Sequence, residues 1–555
     1  MSSKDDDSAE SHLPAGYSAR GGLRVRPKRA AHGLRGRGLH YGLLLICAAL
    51  AGAAIFLLLQ GRGTGARWTV VLSLVLAGAM AGDRRLRARL ALAWWQILAF
   101  AADGKDGLPW RPALLLVALP NLLLLLAHGP GLQTGDSRPV IMTAASLITD
   151  GDLEVSEFAD VYRRNHWFTV PGEDLPYFLV ERPEGLFSHY PLGMVPFALP
   201  VVAAARSVGA HLTEPIVQQH LEQVTAALVA TGCITIFFLL ALHIVRPATA
   251  LIGAAILATG SVVYSTLGQA LWQHGGVIVS TELLLLVEFR SWRRPSWQAT
   301  GLQGLAMATM LSCRLSSALI AATFGLWVAL RSPSRAIKLA GAAGLAFAPW
   351  LALYWSVYKN LAGPMSVQTN GFFWSFGAVA SWGGVLCSPT HGLFVYQPWL
   401  LLGLLAIGRR PRDTEREGGE LPPGWQTWAL AVIGLHLAMV SGWWCWWGGL
   451  CWGSRLAAEA VPLAALLCLQ PLAALMRSGG GRKLVLAFAT LSLLLHVPSV
   501  WLRQDRWYDG MGGEEQLAHA WCWRTPPFLY PWLTFADSSA DSASTARTAP
   551  GTSMK

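Results

Sequence analysis

Long apolar runs separated by short polar stretches are the dominant pattern of this chain. Most of the runs approach the roughly 20 residues that an α-helix needs to cross a bilayer. The pattern therefore predicts an all-α protein, a polytopic transmembrane helical bundle of about 13 spans. The predicted spans are 41–60, 68–82, 112–128, 223–243, 248–267, 272–289, 299–312, 315–330, 337–357, 391–408, 426–442, 456–475 and 483–501.

Two parts of the pattern are less regular. The spans on either side of Cys313 and Arg314 are short, which favours a hairpin. The segment Leu90–Ala102 is apolar but also short, and counting it as a span would move every later basic loop to the other side. Because it contains Trp94 and Trp95, we expect an interfacial helix on the cytoplasmic face, with a span as the alternative.

Composition agrees with a membrane protein. Hydrophobic residues make up 53% of the chain and charged residues 14%, against roughly 25% charged in soluble domains. The net charge of +11 is explained more simply by basic residues flanking spans than by nucleic-acid binding. The sequence contains no P-loop, GxGxxG or HExxH motif, which argues against a nucleotide-driven pump and a membrane zinc protease.

The basic loops predict which ends of the spans share a side. With a cytoplasmic N-terminus, the Arg- and Lys-rich loops at 83–89, 290–294, 331–338, 409–416 and 477–483 all face the cytoplasm. The predicted organisation is a disordered basic tail (1–40), two added spans with the interfacial helix (41–111), a membrane core (112–505) containing an outer loop (129–222), and an outer C-terminal tail (506–555) that is disordered from about 536. The first apolar run starts near Tyr41 behind a basic segment, so we expect no cleavable signal peptide.

The outer insert 129–190 reverses the sign of the charge, with ten acidic residues against four basic ones. Asp136 stands where the chain leaves the span 112–128. A carboxylate held there can remove the proton of a hydroxyl nucleophile that arrives from water. The competing interpretation of the insert is a solvated lid without an active group.

Asp136 also stands in a helix-start pattern. Asp136 or Ser137 ahead of Pro139 indicates a helix start, and apolar positions over 140–148 predict a short amphipathic helix along the membrane surface. An N-cap is therefore the alternative role for Asp136. Asp150 and Asp152 follow this helix as weak metal-ligand candidates, although a polar turn is the favoured interpretation and a metal requirement stays open.

Cations at the outer ends of spans form a second set of candidates. Arg314 lies at the apex of the short hairpin and Arg455 at a span end, positions that indicate an anionic partner such as a lipid phosphate. His274 and Lys359 lie at similar outer positions, with ordinary snorkelling side chains as the alternative.

Aromatic residues provide candidates for substrate contacts. Trp446 and Trp447 belong to a tryptophan-rich outer loop that precedes Arg455. Aromatic faces beside a cation suit a sugar next to a phosphate, whereas an interfacial anchor is the equally supported alternative. His189 and Tyr190, which close the acidic insert, are further candidates for substrate binding.

Short motifs follow one another along the chain in a fixed order: Gly135-Asp136-Ser137, Tyr190-Pro-Leu-Gly193, Leu271-Trp-Gln-His274-Gly, Ser312-Cys-Arg314, Ser388-Pro-Thr-His-Gly392-Leu-Phe-Val-Tyr396, and Trp447-Gly-Gly with Gly453-Ser-Arg455. In this order they resemble the GT-C superfamily, multi-pass glycosyltransferases that use polyprenyl-phosphate sugars, in a mannosyltransferase-like arrangement over roughly 110–505. The family often has a second acid beside the first, where this chain has Ser137.

The resemblance implies a bundle with short helices jutting from its first outer loop, and Asp136 as the base. It implies inverting hexosyl or pentosyl transfer from a polyprenyl-phosphate sugar to a glycan, lipid or protein acceptor, at the outer face of a bacterial plasma (cell inner) membrane. No cofactor is certain, and a divalent metal remains open. The alternatives are a membrane transporter or lipid flippase, which would favour matching halves with broken helices, and a non-catalytic member of the same fold.

The topology predicts opposite sidedness for two serines. Ser156 lies in the outer loop and Ser334 in a basic loop. Cysteine introduced at Ser156 should react with a membrane-impermeant maleimide on intact cells, whereas cysteine at Ser334 should react only after permeabilisation. Labelling of both from one side would contradict the span count.

Overall fold

The computed structural model describes residues 117–127, 135–164, 175–364, 379–404, 420–443, 445–449, 451–501 and 513–529. These residues are mostly helical, which confirms the predicted class, and belong to one compact unit. The predictions on the basic tail, the first two spans, Leu90–Ala102, the loop 409–416 and the end of the C-terminal tail lie outside the described residues.

The helices are, in chain order, α1 (Leu119–Leu126), α2 (Arg138–Thr149), α3 (Ser156–Arg164), α4 (Val195–Ser207), α5 (Pro215–Ala241), α6 (Pro247–Thr259), α7 (Gln273–Ser291), α8 (Trp297–Cys313), α9 (Ala318–Arg331), α10 (Pro333–Tyr358), α11 (Val379–Cys387), α12 (Leu393–Tyr396), α13 (Leu401–Leu404), α14 (Trp425–Ser441), α15 (Val461–Met476), α16 (Gly479–His496), α17 (Pro498–Trp501) and α18 (Gly513–His519). Two strands, β1 (Leu179–Arg182) and β2 (Gly185–Ser188), form an antiparallel hairpin between α3 and α4.

Within the described ranges, three helical segments are long and apolar enough to cross a membrane: Pro215–Ala241, Pro333–Tyr358 and Arg455–Met476. Shorter apolar helices occur at Val195–Ser207, Pro247–Thr259, Leu315–Arg331 and Trp425–Ser441. The full number of spans therefore stays a prediction. Helices α5 and α7 have buried residues along most of their length and contribute many of them to the packed core.

Two predicted spans are less regular in the structure than in the sequence pattern. The described part of 391–408 consists of α12, a 3₁₀ turn at Pro398–Leu400 and α13, because Pro398 cannot continue the hydrogen-bond ladder of α12. The span 248–267 ends as an α-helix at Thr259 and continues as a π-turn at Val263–Leu267. Apolar length predicted the position of these segments but not their breaks.

The outer insert is more compact than the sequence pattern indicates. The predicted helix at 140–148 is present as α2, but residues 138–146 are buried, whereas the pattern predicted an amphipathic surface helix. It packs against α4 and α5, with α3 and the hairpin adding to the same core. Helix α4 forms despite Pro196 and Pro200, in a segment whose prolines argued against a clean span.

Gly193, which follows the insert, lies against the C-terminal end of α8. Its N–H donates to Ser312 O at 3.0 Å. A β-carbon at this position would meet the backbone of Ser312 and Cys313 at less than a normal contact distance. The last glycine of the motif at 190–193 is thus required by a close backbone approach, and this approach fixes the chain just before Arg314.

Gly193→Ala should destabilise the protein, because neither backbone segment can yield to the added methyl group. Overpacking of this kind costs about 1–3 kcal/mol, which a lower midpoint of thermal unfolding in detergent would report. Gly301→Ala is the matched control, since a β-carbon there meets no atom within 4 Å. Equal midpoints for the two variants would contradict the role assigned to Gly193.

Candidate functional site

Asp136 lies immediately before the N-cap of α2 and faces the other outer segments. Ser137 occupies the N-cap position of α2. The alternative role of Asp136 as the N-cap is therefore wrong. Its Oδ1 accepts hydrogen bonds from the hydroxyls of Tyr177 at 2.9 Å and Tyr190 at 2.8 Å. Its Oδ2 is 3.1 Å from Arg455 Nη1. Desolvation, and then the charge of Asp136, raise the pKa of Tyr177 well above its usual value, so this phenol remains a donor.

A buried ion pair holds the start of α2 in place. Glu222 of α5 accepts hydrogen bonds from the Ser137 hydroxyl and from the Leu271 N–H, the latter at 3.2 Å. Arg138 Nε lies 3.8 Å from the same carboxylate, and both side chains are 3% exposed. Because the two residues after Asp136 are anchored to α5 in this way, the position of its carboxylate is determined by the bundle.

Four consecutive residues at the start of α7 each contact a different part of the site. Leu271 donates to Glu222, and Trp272 lies beneath Arg455 with 3.9 Å between the guanidinium carbon and the ring centroid. Gln273 Nε2 donates to Asp136 O at 3.0 Å, and His274 Nδ1 is 3.0 Å from Glu459 Oε1. This segment is one of the motifs that carry the resemblance, and it contacts the site through the backbone of Leu271 and the side chains of Trp272, Gln273 and His274.

Arg455 is held from several sides at the beginning of a 3₁₀ segment, Arg455–Ala460. Besides Asp136 and Trp272, it contacts Gly448 O through Nη2 at 2.5 Å. Gly448 has a φ of 80°, a left-handed conformation that favours glycine. The turn at this glycine directs the carbonyl oxygen of Gly448 to the guanidinium group of Arg455.

A second cluster lies next to this pair and contains Arg314. Arg314 Nη1 is 3.2 Å from His274 Nε2, and its Nε is 3.2 Å from Glu459 Oε1. His436 Nδ1 approaches the other oxygen of Glu459 at 3.5 Å. Arg314 also interacts electrostatically with Arg455 and Asp136. Arg314 and Arg455, 141 positions apart in sequence, therefore lie in one site, which we call the acid–arginine cluster (Asp136, His274, Arg314, Arg455 and Glu459).

The tryptophans of the outer loop have protein partners in this structure. Trp446 and Trp447 are 6% and 3% exposed. Trp446 packs against Trp521, and Trp447 Nε1 donates to Gln516 Oε1 at 3.4 Å, both in the segment 513–529. They therefore support the loop that carries Gly448, and neither ring presents an open face to a sugar here.

The segment 513–529 is fixed by another of the predicted motifs. The hydroxyls of Ser388 and Thr390 both donate to Ala520 O, at 2.5 and 3.0 Å. The Thr390 hydroxyl is also 2.9 Å from His391 Nδ1. The motif at 388–396 thus anchors the C-terminal segment above the tryptophan-rich loop.

Two further candidates occupy different positions. His189 is buried beside Tyr190, with ring centroids 5.9 Å apart, and desolvation followed by the charge of Arg182 lowers its pKa. Lys359 ends α10 with a φ of 56°, and its ammonium group lies 3.3 Å from Glu184 on the exposed hairpin turn. The structure thus places Lys359 against the hairpin, apart from the contacts of the acid–arginine cluster.

Asp150 and Asp152 form a local turn. Asp152 Oδ1 accepts from the Ser146 hydroxyl at 2.9 Å and from the Glu154 N–H at 3.1 Å, while Asp150 accepts from Thr149. These bonds close the end of α2, as the turn interpretation predicts. Among the described residues, no group of three His, Cys, Asp or Glu side chains is arranged to hold a metal ion.

Sequence reasoning missed several residues of the site. Tyr177, Glu222 and Glu459 are the most important of them. Glu459 could have been found, because an acid four positions after Arg455 inside an apolar span is rare and indicates function. Tyr177 lies within a mixed polar segment, and nothing in the sequence distinguishes it.

No protein-family model and no curated protein matches the chain. Among solved structures it is similar to the Archaeoglobus fulgidus oligosaccharyltransferase tethered with an acceptor peptide containing the NVT sequon, at 12% identity and a TM-score of 0.39, covering 74% of this chain and 59% of that chain. The archaeal oligosaccharyltransferase AglB from Archaeoglobus fulgidus, in complex with an inhibitory peptide and a dolichol-phosphate, gives 11% identity, a TM-score of 0.39 and the same coverage.

The Archaeoglobus fulgidus oligosaccharyltransferase in the apo form gives 13% identity and a TM-score of 0.34, covering 75% of this chain and 60% of that chain. The chain thus spans about three fifths of the length of these structures. A likeness of this degree establishes neither a shared fold nor a shared activity.

Glu222→Gln should destabilise the site, because Arg138 would lose its buried counter-charge. Removing one partner of a buried pair costs about 3–5 kcal/mol, which thermal unfolding of the purified chain in detergent measures. Adding Arg138→Met to this variant removes the uncompensated charge and should return much of the loss. A single variant as stable as the wild type would contradict the proposed anchoring of α2.

Proposed function

We propose that this chain is a membrane glycosyltransferase that moves a sugar from a polyprenyl-phosphate donor to an acceptor hydroxyl at the outer face of a bacterial plasma membrane. The observation that carries the proposal is the acid–arginine cluster, in which Asp136 is paired with Arg455 next to Arg314. The motif order that resembles the GT-C superfamily supports it. The donor, the outer-face acceptor and inverting transfer of a hexosyl or pentosyl group are parts of this proposal.

Asp136 has the position of a general base. Two phenol donors and Gln273 fix the carboxylate and its backbone, while its side chain keeps 21% exposure. In the proposed step the acceptor oxygen bonds to the anomeric carbon, and the bond from that carbon to the phosphate oxygen breaks. The acceptor proton goes to Asp136, and the bonding electrons leave with the lipid phosphate.

The two arginines suit the phosphate. Charge develops on the leaving phosphate as the bond breaks, and fixed cations in a water-poor site stabilise such charge strongly. Guanidinium groups bind phosphate oxygens through several N–H donors in a planar array. In our proposal Arg314 and Arg455 receive the phosphate, and His274 acts through its contact with Arg314. Lys359, paired with Glu184, has at most a peripheral role in binding the donor.

The charge balance of the acid–arginine cluster explains how the ion pair between Asp136 and Arg455 opens when the donor binds. Asp136 and Glu459 neutralise Arg314 and Arg455, and a phosphate that binds Arg455 replaces the carboxylate that occupies it. Glu459 is 1% exposed, whereas Asp136 reaches solvent. Asp136 is therefore the partner that the phosphate displaces from Arg455, and the displaced carboxylate can then accept the proton of the acceptor hydroxyl. Donor binding thus prepares the proton acceptor.

Asp136→Asn should leave a folded protein with transfer reduced by about 10²–10⁴-fold, since a positioned base contributes an effect of this size. The test compares lipid and surface glycans by mass spectrometry in a deletion strain that carries the wild type, Asp136→Asn or Asp152→Asn. The wild type and the Asp152 control should restore the missing glycan, and the Asp136 variant should not. Restoration by a well-expressed Asp136→Asn protein would contradict the proposal.

A further inference from the structure

Glu459 is a buried acid that the reaction step above does not use. It lies in the 3₁₀ segment that begins with Arg455 and leads into α15, and its side chain is 1% exposed. Its carboxylate meets groups from three other parts of the bundle: His274 of α7, Arg314 between α8 and α9, and His436 of α14. An acid in such surroundings is costly to bury unless several donors satisfy it.

The contacts determine the state of His274. A guanidinium group has only donors, so Arg314 Nη1, at 3.2 Å, donates to the lone pair of His274 Nε2. The ring proton is then on Nδ1, which donates to Glu459 Oε1 at 3.0 Å. Glu459 thus holds His274 as a neutral ring in one tautomer, with its acceptor nitrogen turned to Arg314.

The same carboxylate fixes the orientation of Arg314. Arg314 Nε lies 3.2 Å from both Glu459 Oε1 and Ser316 Oγ, and Nη1 is held by His274. Nη2 has no hydrogen-bond partner among the described residues, and the side chain is 28% exposed. One edge of the guanidinium is therefore locked in the protein while the other edge keeps a free donor, which is the arrangement of a pre-organised anion ligand.

We propose that Glu459 is a positioning residue that aims Arg314 at a prenyl phosphate and, through its own negative charge, limits how tightly that phosphate is held. The inference rests on the proposed function and adds to it a role for Glu459 in product release. The leaving prenyl phosphate is a monoester and carries more negative charge than the diester of the donor, so the fixed charge of Glu459 opposes the product more than the substrate. Glu459 thereby promotes turnover.

Glu459→Gln separates charge from geometry. The amide oxygen can still accept from His274 and Arg314, so both contacts of Glu459 Oε1 can be kept. Only the negative charge is lost, and the net charge of the acid–arginine cluster becomes positive. A structural role would weaken or abolish ligand binding in this variant, whereas the proposed role predicts tighter binding.

The test uses the full chain purified in detergent and calorimetric titration with farnesyl phosphate, a short prenyl monophosphate. Glu459→Gln should bind about tenfold more tightly than the wild type, the effect of one charge removed at short range. In transfer assays it should lower both KM and kcat, because the product leaves more slowly.

Glu282→Gln is the matched control: this acid of α7 is equally buried, and its oxygens have no hydrogen-bond partner among the described residues. The control should bind like the wild type.

Unchanged or weaker binding by a folded Glu459→Gln protein would overturn the inference. Should that variant fail to fold, the comparison moves to Arg314→Gln with and without Glu459→Gln, since the double variant is again charge-balanced. The double variant must then bind farnesyl phosphate more tightly than Arg314→Gln alone, and equal binding would overturn the inference. A wild-type protein that binds no farnesyl phosphate would instead contradict the proposed function itself.

Discussion

The ion pair between Asp136 and Arg455 is the interaction on which the rest of the site depends. It joins two residues 319 positions apart, one before α2 and one before α15. A pair this close to an apolar core is stable only when both charges find further partners. Tyr177 and Tyr190 satisfy the carboxylate, and Gly448 O and the face of Trp272 satisfy the guanidinium. These partners come from three segments: the insert 129–190, the tryptophan-rich loop and the residue just before α7.

The need to give both charges of this ion pair further partners also explains why the segments around it pack closely together. Glu222 and Arg138 anchor α2, Gly193 brings the chain against Ser312, and Ser388 with Thr390 fixes the segment above the tryptophan-rich loop. The result is a neutral set of two acids and two arginines, with one acid sealed inside the bundle and the other near solvent. In our proposal, a phosphate that binds Arg455 exchanges with Asp136, and this exchange links donor binding to the availability of the base.

Sequence patterns predicted the part of the site that depends on charge in apolar surroundings. Asp136, Arg314, Arg455 and His274 stood out because polar groups at span ends are few, and the structure brings them together. Lys359 has the same sequence signature, yet it extends to the hairpin turn, since the direction of a side chain at a helix end depends on local backbone geometry that hydropathy does not encode.

Other features depend on tertiary packing and could not be predicted from local pattern. The burial of Trp446 and Trp447 follows from contacts with residues 513–529, distant in sequence. Each strand of the β1–β2 hairpin has only four residues, which is too short for a strand signal. Helix α2 was predicted from its start signal and periodicity, but its enclosure by α4 and α5 arises from the fold of the whole insert.

An experimental structure of the full chain with farnesyl phosphate bound in lipid nanodiscs tests the central claim most directly. The account predicts phosphate oxygens within about 3 Å of Arg455 and Arg314, with Asp136 released from Arg455 and still held by Tyr177 and Tyr190. A phosphate bound elsewhere, with the pair between Asp136 and Arg455 intact, would contradict it.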